Sequence, residues 1–267
     1  MDLELTGRVA VVTGASKGIG LAVTESLLRE GAHLVATSRR RTPELDALTG
    51  DLVHVAADLM EPDAPAAVID RAVETFGGLD VLVNNAGGPP PGARLPRFGF
   101  LELTDQGWQD MLEFNLLSAV RACRAAIPVL IERGGGAIVN VSSGHGRQPS
   151  AINVDYGAAK AAMMNLTKAL SEEFGPQGIR VNGVCPGPVR TPWWTDEGGA
   201  ADILAARTGT DRESVINRVA PELMQLSTGR LAEPQEIADA VVLLASPRSG
   251  STTGTELVVD SGWIKAM

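Results

Sequence analysis

The sequence predicts a doubly wound α/β domain built on a parallel sheet. Three observations carry that expectation. Apolar runs rich in β-branched residues alternate with longer helical stretches, and those runs are apolar throughout rather than at every second residue. A glycine-rich turn joins the first run to the first helical stretch. A strand covered on both faces has no solvent side, so its sequence reads as an unbroken apolar run. Strands that alternate with helices close into right-handed βαβ units.

The first strand is expected over residues 8–13, containing VAVVT, and the first helix over 19–30. Strands follow at 32–37 and 52–56, then a helix at 63–76 and a fourth strand at 79–83, which includes DVLV. A long helical pattern covers 104–133. It opens at Thr104, a residue type whose hydroxyl caps free N–H groups at a helix start. The fifth strand, with AIVNV, is expected at 137–142, a helix at 155–174 and the sixth strand at 179–184. A helix at 234–245 opens with Pro234, at a position where a missing N–H is tolerated, and a last strand spans 256–259. Residues 87–99 and 186–209 read as loops. With no internal repeat or low-complexity linker, residues 1–267 are expected to form one domain, with a substrate lid around 190–226.

Hydrophobic residues at 44% and charged residues at 21% exclude a disordered chain, a coiled coil and a collagen-like repeat. No uninterrupted apolar run approaches the roughly 18 residues of a spanning helix. Asp2 and Glu4 stand where a secretory signal would be basic, so a soluble cytoplasmic protein without membrane association is expected. The balance of 23 basic against 32 acidic residues lacks the basic footprint of a nucleic-acid binder. Cys123 and Cys185 are isolated from each other and from any ligand-like spacing, so neither a disulfide nor a metal site is indicated.

The turn after the first strand, TGASKGIG at residues 13–20, has the chemistry of a dinucleotide site. Gly14 permits a sharp exit from the strand. Gly18 and Gly20 let the backbone approach a pyrophosphate, whose charge meets free N–H groups at the helix start. Ser16, Lys17 and Ile19 complete this turn. The second strand runs into Ser38, Arg39, Arg40 and Arg41, with no acidic residue before Glu44. A ribose 2′-hydroxyl calls for a carboxylate there and a 2′-phosphate calls for arginine, so with Lys17 nearby the preferred cofactor is NADP(H) over NAD(H). Asp58, followed by Leu59, comes just after the third strand, where its carboxylate either meets the adenine amino group or is a helix cap or loop aspartate.

Tyr156 is the sole tyrosine in the sequence and Lys160 one of four lysines. Four residues apart on a helix, they share a face. A free phenol, with a pKa of ~10, is a poor acid–base catalyst near neutrality. A neighbouring ammonium and a positively charged oxidised nicotinamide favour the phenolate, so the tyrosine is expected to titrate lower. Ser143 ends the fifth strand, placed to donate to a substrate carbonyl. Asn115, a polar residue within EFNLLS, reads by itself as a hydrogen-bonding helical residue.

TGASKGIG, the NNAG at 84–87, Asn115, Ser143, the Tyr156-x-x-x-Lys160 pair and Pro186-Gly187, in this order and spacing, closely resemble the short-chain dehydrogenase/reductase family across residues 6–262. The resemblance implies a Rossmann-type sheet of seven parallel strands in the order 3-2-1-4-5-6-7. It also implies that Ser143 polarises a carbonyl, Tyr156 transfers a proton, and Lys160 binds the nicotinamide ribose and lowers the tyrosine pKa. Asn115 would hold a helix kink and a water of the proton relay. Asn84, Asn85, Ala86 and Gly87 would support the central strand and line the cofactor. Pro186, Gly187, Val189 and Thr191 would hold its carboxamide, and a homotetramer would form through helices 104–133 and 155–174. Two departures stand out: three consecutive prolines at 89–91 in a lengthened loop, and Asp260-Ser261-Gly262 where the family often has two glycines after the aspartate.

Substrate contacts are expected from the loops after the fourth, fifth and sixth strands. Trp193, Trp194 and Met224 form an apolar wall over a small-molecule ketone, or else the two tryptophans pack a lid helix or a subunit contact. His145 stands two residues beyond Ser143 but reads more simply as a loop histidine, and Cys185 as a small buried apolar residue. The leading expectation is an NADP(H)-dependent oxidoreductase interconverting a ketone and a secondary alcohol. One alternative is a 3-oxoacyl-acyl-carrier-protein reductase, which would use a basic docking patch near Arg121, Arg124 and Arg133. Another is a non-catalytic NADPH-binding sensor.

Overall fold

Seven parallel strands form one sheet in the order β3-β2-β1-β4-β5-β6-β7, the order the family resemblance implies. They are β1 Val9–Thr13, β2 His33–Ser38, β3 Leu52–Ala56, β4 Val81–Asn84, β5 Gly136–Val141, β6 Ile179–Pro186 and β7 Glu256–Val259. The coordinates are a computed structural model that describes residues 2–93 and 96–266. Two positions of the expected loop at 87–99 therefore lie outside the described residues.

Alternation along β1 feeds two cores. Ala10 and Val12 pack with Val23, Leu27 and Val241, from helices Gly18–Arg29 and Pro234–Ala245 on one face. Val9 and Val11 pack with Val68, Ala72, Ala126 and Leu130, from helices Ala64–Phe76 and Ser118–Glu132 on the other. Every β1 residue is buried, which explains the unbroken apolar run. The chain reverses between β1 and β4, leaving a crevice at their carboxyl ends where a doubly wound fold holds its ligands.

Helix starts follow the expected chemistry. Thr104 Oγ1 accepts from Gly107 N at 3.1 Å, and Pro234 opens its helix behind a reciprocal Glu233–Glu236 cap. Two expectations need correction. Residues 104–133 are not one regular helix: Asp105–Leu112 passes into a π-turn at Glu113–Leu117 before Ser118–Glu132. Residues 186–209 are not simply loop. Helices Pro192–Thr195 and Ala200–Thr208 lie there, and Trp194, Ala201, Ala205, Val215, Ile216 and Leu231 build a small separate core. Alanine-rich turns over a few anchors give weak periodicity, which is why the pattern was not visible.

The segment Asp105–Glu132 is long and apolar enough to cross a membrane by length and composition. Counting uninterrupted apolar residues passes over it. In the fold Met111, Ala119, Ala122, Cys123, Ala126 and Leu130 of this segment are buried.

Candidate active site

The glycine turn is clamped from β4. Thr13 Oγ1 accepts from the N–H groups of Asn85 and Ala86, both at 3.0 Å. Asn85 Nδ2 donates to the carbonyls of Thr13 at 2.9 Å and Gly14 at 3.2 Å, so this side chain holds the turn. Gly14 adopts φ +67°, and a Cβ at Gly20 would lie 2.2 Å from Gly14 O. The helix then opens at Gly18 behind Lys17, whose side chain makes no cap. Its first N–H groups are thus left without a side-chain acceptor, a donor set that fits a pyrophosphate at a helix N-terminus. Ser16 and Ile19 flank these donors.

Beside this turn, Ser38 Oγ donates to Arg40 O at 2.8 Å. Arg41 pairs with Asp46, whereas Arg39, Arg40 and Lys17 are exposed and, among the described residues, carry no ion pair. Thr42 Oγ1 donates to Ser16 O at 2.8 Å and fastens the arginine segment to the glycine turn. The sequence reading missed Thr42, although Thr before Pro-Glu is a helix-cap signal that would have drawn attention to it. Asp58 Oδ1 accepts from Met60 N at 3.1 Å, the loop-capping arrangement, and Leu59 is buried.

The four candidate catalytic residues come from β5 and two helices. Ser143 leaves β5 as the cap of Gly144–Arg147, accepting from His145 N at 3.3 Å. Tyr156 and Lys160 lie one turn apart near the start of helix Val154–Phe174. Lys160 is buried, donates from Nζ to Val141 O at 2.9 Å, and lies 5.8 Å from the Tyr156 ring centroid. Asn115 is fully buried in the π-turn, its Oδ1 accepting from Gly88 N at 2.7 Å and its Nδ2 donating to Gly88 O at 2.9 Å. The π-turn gives an inward-facing amide where a regular helix would continue an apolar stripe. A Cβ at Gly87 would stand 2.9 Å from Lys160 Nζ and 3.0 Å from Asn115 Oδ1, so these side chains converge on the backbone after β4. Asn84 turns inward and donates to Asn140 Oδ1 at 2.9 Å.

The electrostatics differ from the expectation of a lowered tyrosine. Burial pushes the Tyr156 phenol above its ordinary value, and its hydrogen bond with Ser143 only partly opposes this. The Lys160 ammonium does not reverse the shift. Burial brings Lys160 itself down to about 8, against the field of Glu256. The protein's own groups therefore favour a protonated phenol.

The loop after β6 closes the site. A Cβ at Gly187 would meet the Asp260 backbone at 2.7 Å, Pro186 ends the strand, and Val189 bridges to Ala232. Thr191 packs against Gly18, its methyl 3.2 Å from where a Cβ there would be. Trp194 is buried in the separate core and so packs the helices rather than walling a substrate, while Trp193 and Met224 are partly buried against it. His145 meets Tyr156 edge-on at 6.0 Å and Trp263 at 5.0 Å, and burial pushes its pKa down, keeping it neutral. Burial also pushes Cys185 up to about 12, in keeping with an inert residue. Arg121 pairs with Glu113 and Arg133 with Asp80, leaving Arg124 exposed. Sequence reasoning also missed Arg97, Asn153 and Asp155, which brace the start of the Tyr156 helix.

A glycine turn over a free helix start and a Ser–Tyr–Lys cluster at one end of a doubly wound sheet define a nicotinamide-cofactor oxidoreductase class. The short chain dehydrogenase family model matches residues 8–200. Oxidoreductase UcpA of Escherichia coli K12 is 35% identical, covering 97% of this chain and 95% of that one. The 3-oxoacyl-acyl-carrier-protein reductase FabG of Vibrio cholerae is 34% identical, covering 97% and 98%. L-sorbose reductase from Gluconobacter frateurii, solved with NADPH and L-sorbose, superposes with a TM-score of 0.89 at 34% identity, covering 100% of both chains. The chain belongs to the short-chain dehydrogenase/reductase family. It is an oxidoreductase of the ketone and alcohol type with a site for a nicotinamide cofactor.

Proposed function

We propose that this chain is an NADP(H)-dependent reductase interconverting a ketone and a secondary alcohol. When bound, the cofactor supplies or accepts the hydride at the carbonyl carbon. Tyr156 gives its proton to the carbonyl oxygen as charge grows there, and takes it back in the reverse direction. Ser143 donates a hydrogen bond to the same oxygen. Lys160 holds the cofactor ribose, and Asn115 shapes the path by which a proton reaches the site. The observation that most supports this reading is the crowding of Lys160 Nζ and Asn115 Oδ1 onto Gly87 beside Tyr156.

The preference for NADP(H) is supported by Arg39, Arg40 and Lys17, three exposed cations without an ion pair among the described residues. A substrate lid at 190–226 is supported by its separate core and by Arg207, which stacks over Phe98 of the opposite loop at 4.3 Å. Exposed Leu117 and Ile131 on the long helical segment support self-association through it as a homotetramer, which light scattering would check.

The decisive experiment is NADPH oxidation with wild type and Tyr156→Phe. The panel holds ketoses, steroid ketones, simple ketones and a carrier-protein-linked 3-oxoacyl thioester. Turnover lost in the variant with NADPH binding retained is the expected result; equal turnover in both proteins would sink the mechanism. Similarity to the Vibrio cholerae enzyme favours the carrier-linked substrate as a second reading. The pairing of Arg121 and Arg133 with acidic neighbours counts against it. NADPH binding without turnover of any of these would favour a sensor.

A further inference from the structure

Behind the catalytic cluster lies a carboxyl group without a part in hydride or proton transfer. Glu256 begins β7 opposite Gly183 of β6. A Cβ at Gly183 would stand 1.9 Å from Glu256 Oε1, so the carboxyl lies flat on that glycine and nothing larger fits beneath it. Glu256 Oε2 accepts from Ser142 Oγ at 2.8 Å, while Oε1 is buried and has no hydrogen-bond partner among the described residues. Ser142 directly precedes Ser143, and its hydroxyl also lies 3.1 Å from Val184 O. With one proton to give, Ser142 serves one of these acceptors at a time.

A buried carboxylate with an unpaired oxygen is costly unless a cation lies near. Four elements face this one with polar or charged groups: Ser142 at the end of β5, Lys160 on the Tyr156 helix, Arg147 on the short helix after Ser143, and Cys185 on β6. Cys185 is held protonated by burial, and Asp260 reaches this group only through its field on Cys185. The fields of Lys160 and Arg147 both favour ionised Glu256. In return, Glu256 is the foremost group opposing the loss of charge on Lys160.

We propose that Glu256 is a positioning residue of the reductase site, whose carboxylate, seated on Gly183 and fixed by Ser142, keeps the buried Lys160 ammonium charged beside Tyr156. This rests on the reading of Tyr156 and Lys160 given above. Burial moves the Glu256 carboxyl up to about 7, so the carboxylate forms as pH rises through neutrality. Lys160 stands at about 8 with the field of that carboxylate opposing its burial, and without it would lose its proton at lower pH, over that same range. The two groups titrate as a coupled pair.

The test compares wild type with Glu256→Gln in NADPH-driven ketone reduction across pH. At about pH 6 the wild-type carboxyl is protonated and the two proteins should turn over alike. By about pH 8 the variant should fall roughly fivefold behind, approaching tenfold at higher pH, as expected for a shift of one pKa unit. A ratio constant across pH would overturn the proposal, since lost packing has no reason to follow a proton. Should Glu256→Gln melt early, Gly183→Ala displaces the carboxyl without removing it and should reproduce the alkaline loss. A second readout needs no turnover: carboxyl carbon-13 resonances in protein labelled at glutamate. One resonance should titrate near neutrality, vanish in Glu256→Gln, and move to higher pH in Lys160→Met. If no resonance does so, or Lys160→Met leaves it in place, Glu256 and Lys160 are not coupled. If it behaves as expected while no ketone is reduced, the coupling stands and the reductase reading fails.

Discussion

Arg97 and Asp155 form a 2.7 Å ion pair one residue before Tyr156, with Asp155 fully buried and Arg97 18% exposed. Asp155 Oδ1 also accepts from Tyr156 N at 2.9 Å, and Asn153 Oδ1 accepts from Arg97 N at 2.7 Å. The loop after β4 is thereby riveted to the first turn of the helix that carries the tyrosine. Removing Arg97 leaves a buried carboxylate uncompensated, which costs about 3 kcal/mol. Arg97→Ala should therefore melt roughly 6–12 °C below wild type and lose kcat more than ketone affinity. Calorimetry and steady-state kinetics would check this; an unchanged melting temperature would mean that the pair contributes nothing net.

Ser261 adopts φ +59°, in the left-handed region, at one of the positions where the family often has glycine. An L-residue there is strained by about 1–2 kcal/mol, and glycine gives back about 0.4–1 kcal/mol through the freedom of the unfolded chain. Ser261→Gly should thus raise stability by about 0.5–1 kcal/mol. Asp260, which accepts from Gly262 N at 2.8 Å and Ile264 N at 2.6 Å, keeps the turn in place in either protein. Thermal melts of the two proteins side by side decide it, and a lower melting temperature for the glycine variant would refute the strain.

Much of this architecture was legible in the sequence because parallel strands leave an unmistakable trace. β3 and β7 were located to the residue, and β1 within one. The Tyr156-x-x-x-Lys160 spacing is local and so readable. Other parts of the site are not local. Arg97 meets Asp155 across 58 positions, and Glu256 meets Ser142 across 114, so no window along the chain contains either pair. The raised phenol could not be read either. Proximity to an ammonium lowers a tyrosine, but desolvation raises it, and the balance depends on how deeply the hydroxyl lies.

Arg39 and Arg41 are neighbours in sequence but not equivalent. Arg41 pairs with Asp46, and Arg39 is exposed without an ion pair among the described residues. Arg39→Asp should reduce the NADPH over NADH preference in kcat/KM by roughly 10- to 100-fold, the worth of a charge-assisted hydrogen bond. Arg41→Ala should leave that ratio within about a factor of two, a loss too small for a missing charge-assisted bond. An unchanged ratio in Arg39→Asp would remove the assignment of the 2′-phosphate to this arginine.

Cys123 and Cys185 are both fully buried, and burial pushes both thiols up to about 12. The thiolate is the reactive form, so neither should be alkylated at pH 8 in the native protein. Mass spectrometry after iodoacetamide should find no adduct under native conditions and two after denaturation, one for each free cysteine. Native labelling of Cys185, which lies at the carboxyl end of β6, would show that the site opens more than its packing implies.

Under the proposed mechanism the raised Tyr156 phenol gives the two directions of reaction different pH dependences. With its pKa above the ordinary value, Tyr156 carries its proton throughout the neutral range. Ketone reduction needs that proton, so its kcat should be flat from about pH 6 to 8 where the tyrosine alone limits it. Alcohol oxidation needs the phenolate, present there only as a minor form, so its kcat should climb about tenfold per pH unit until the pKa is reached. An oxidised, cationic nicotinamide favours the phenolate and would bring that midpoint down relative to the unliganded protein. The measurement is kcat for both directions at saturating cofactor from about pH 6 to 10, with Tyr156→Phe as the baseline. Oxidation already flat at about pH 7 would mean a phenol lowered well below its ordinary value, contrary to what burial does here.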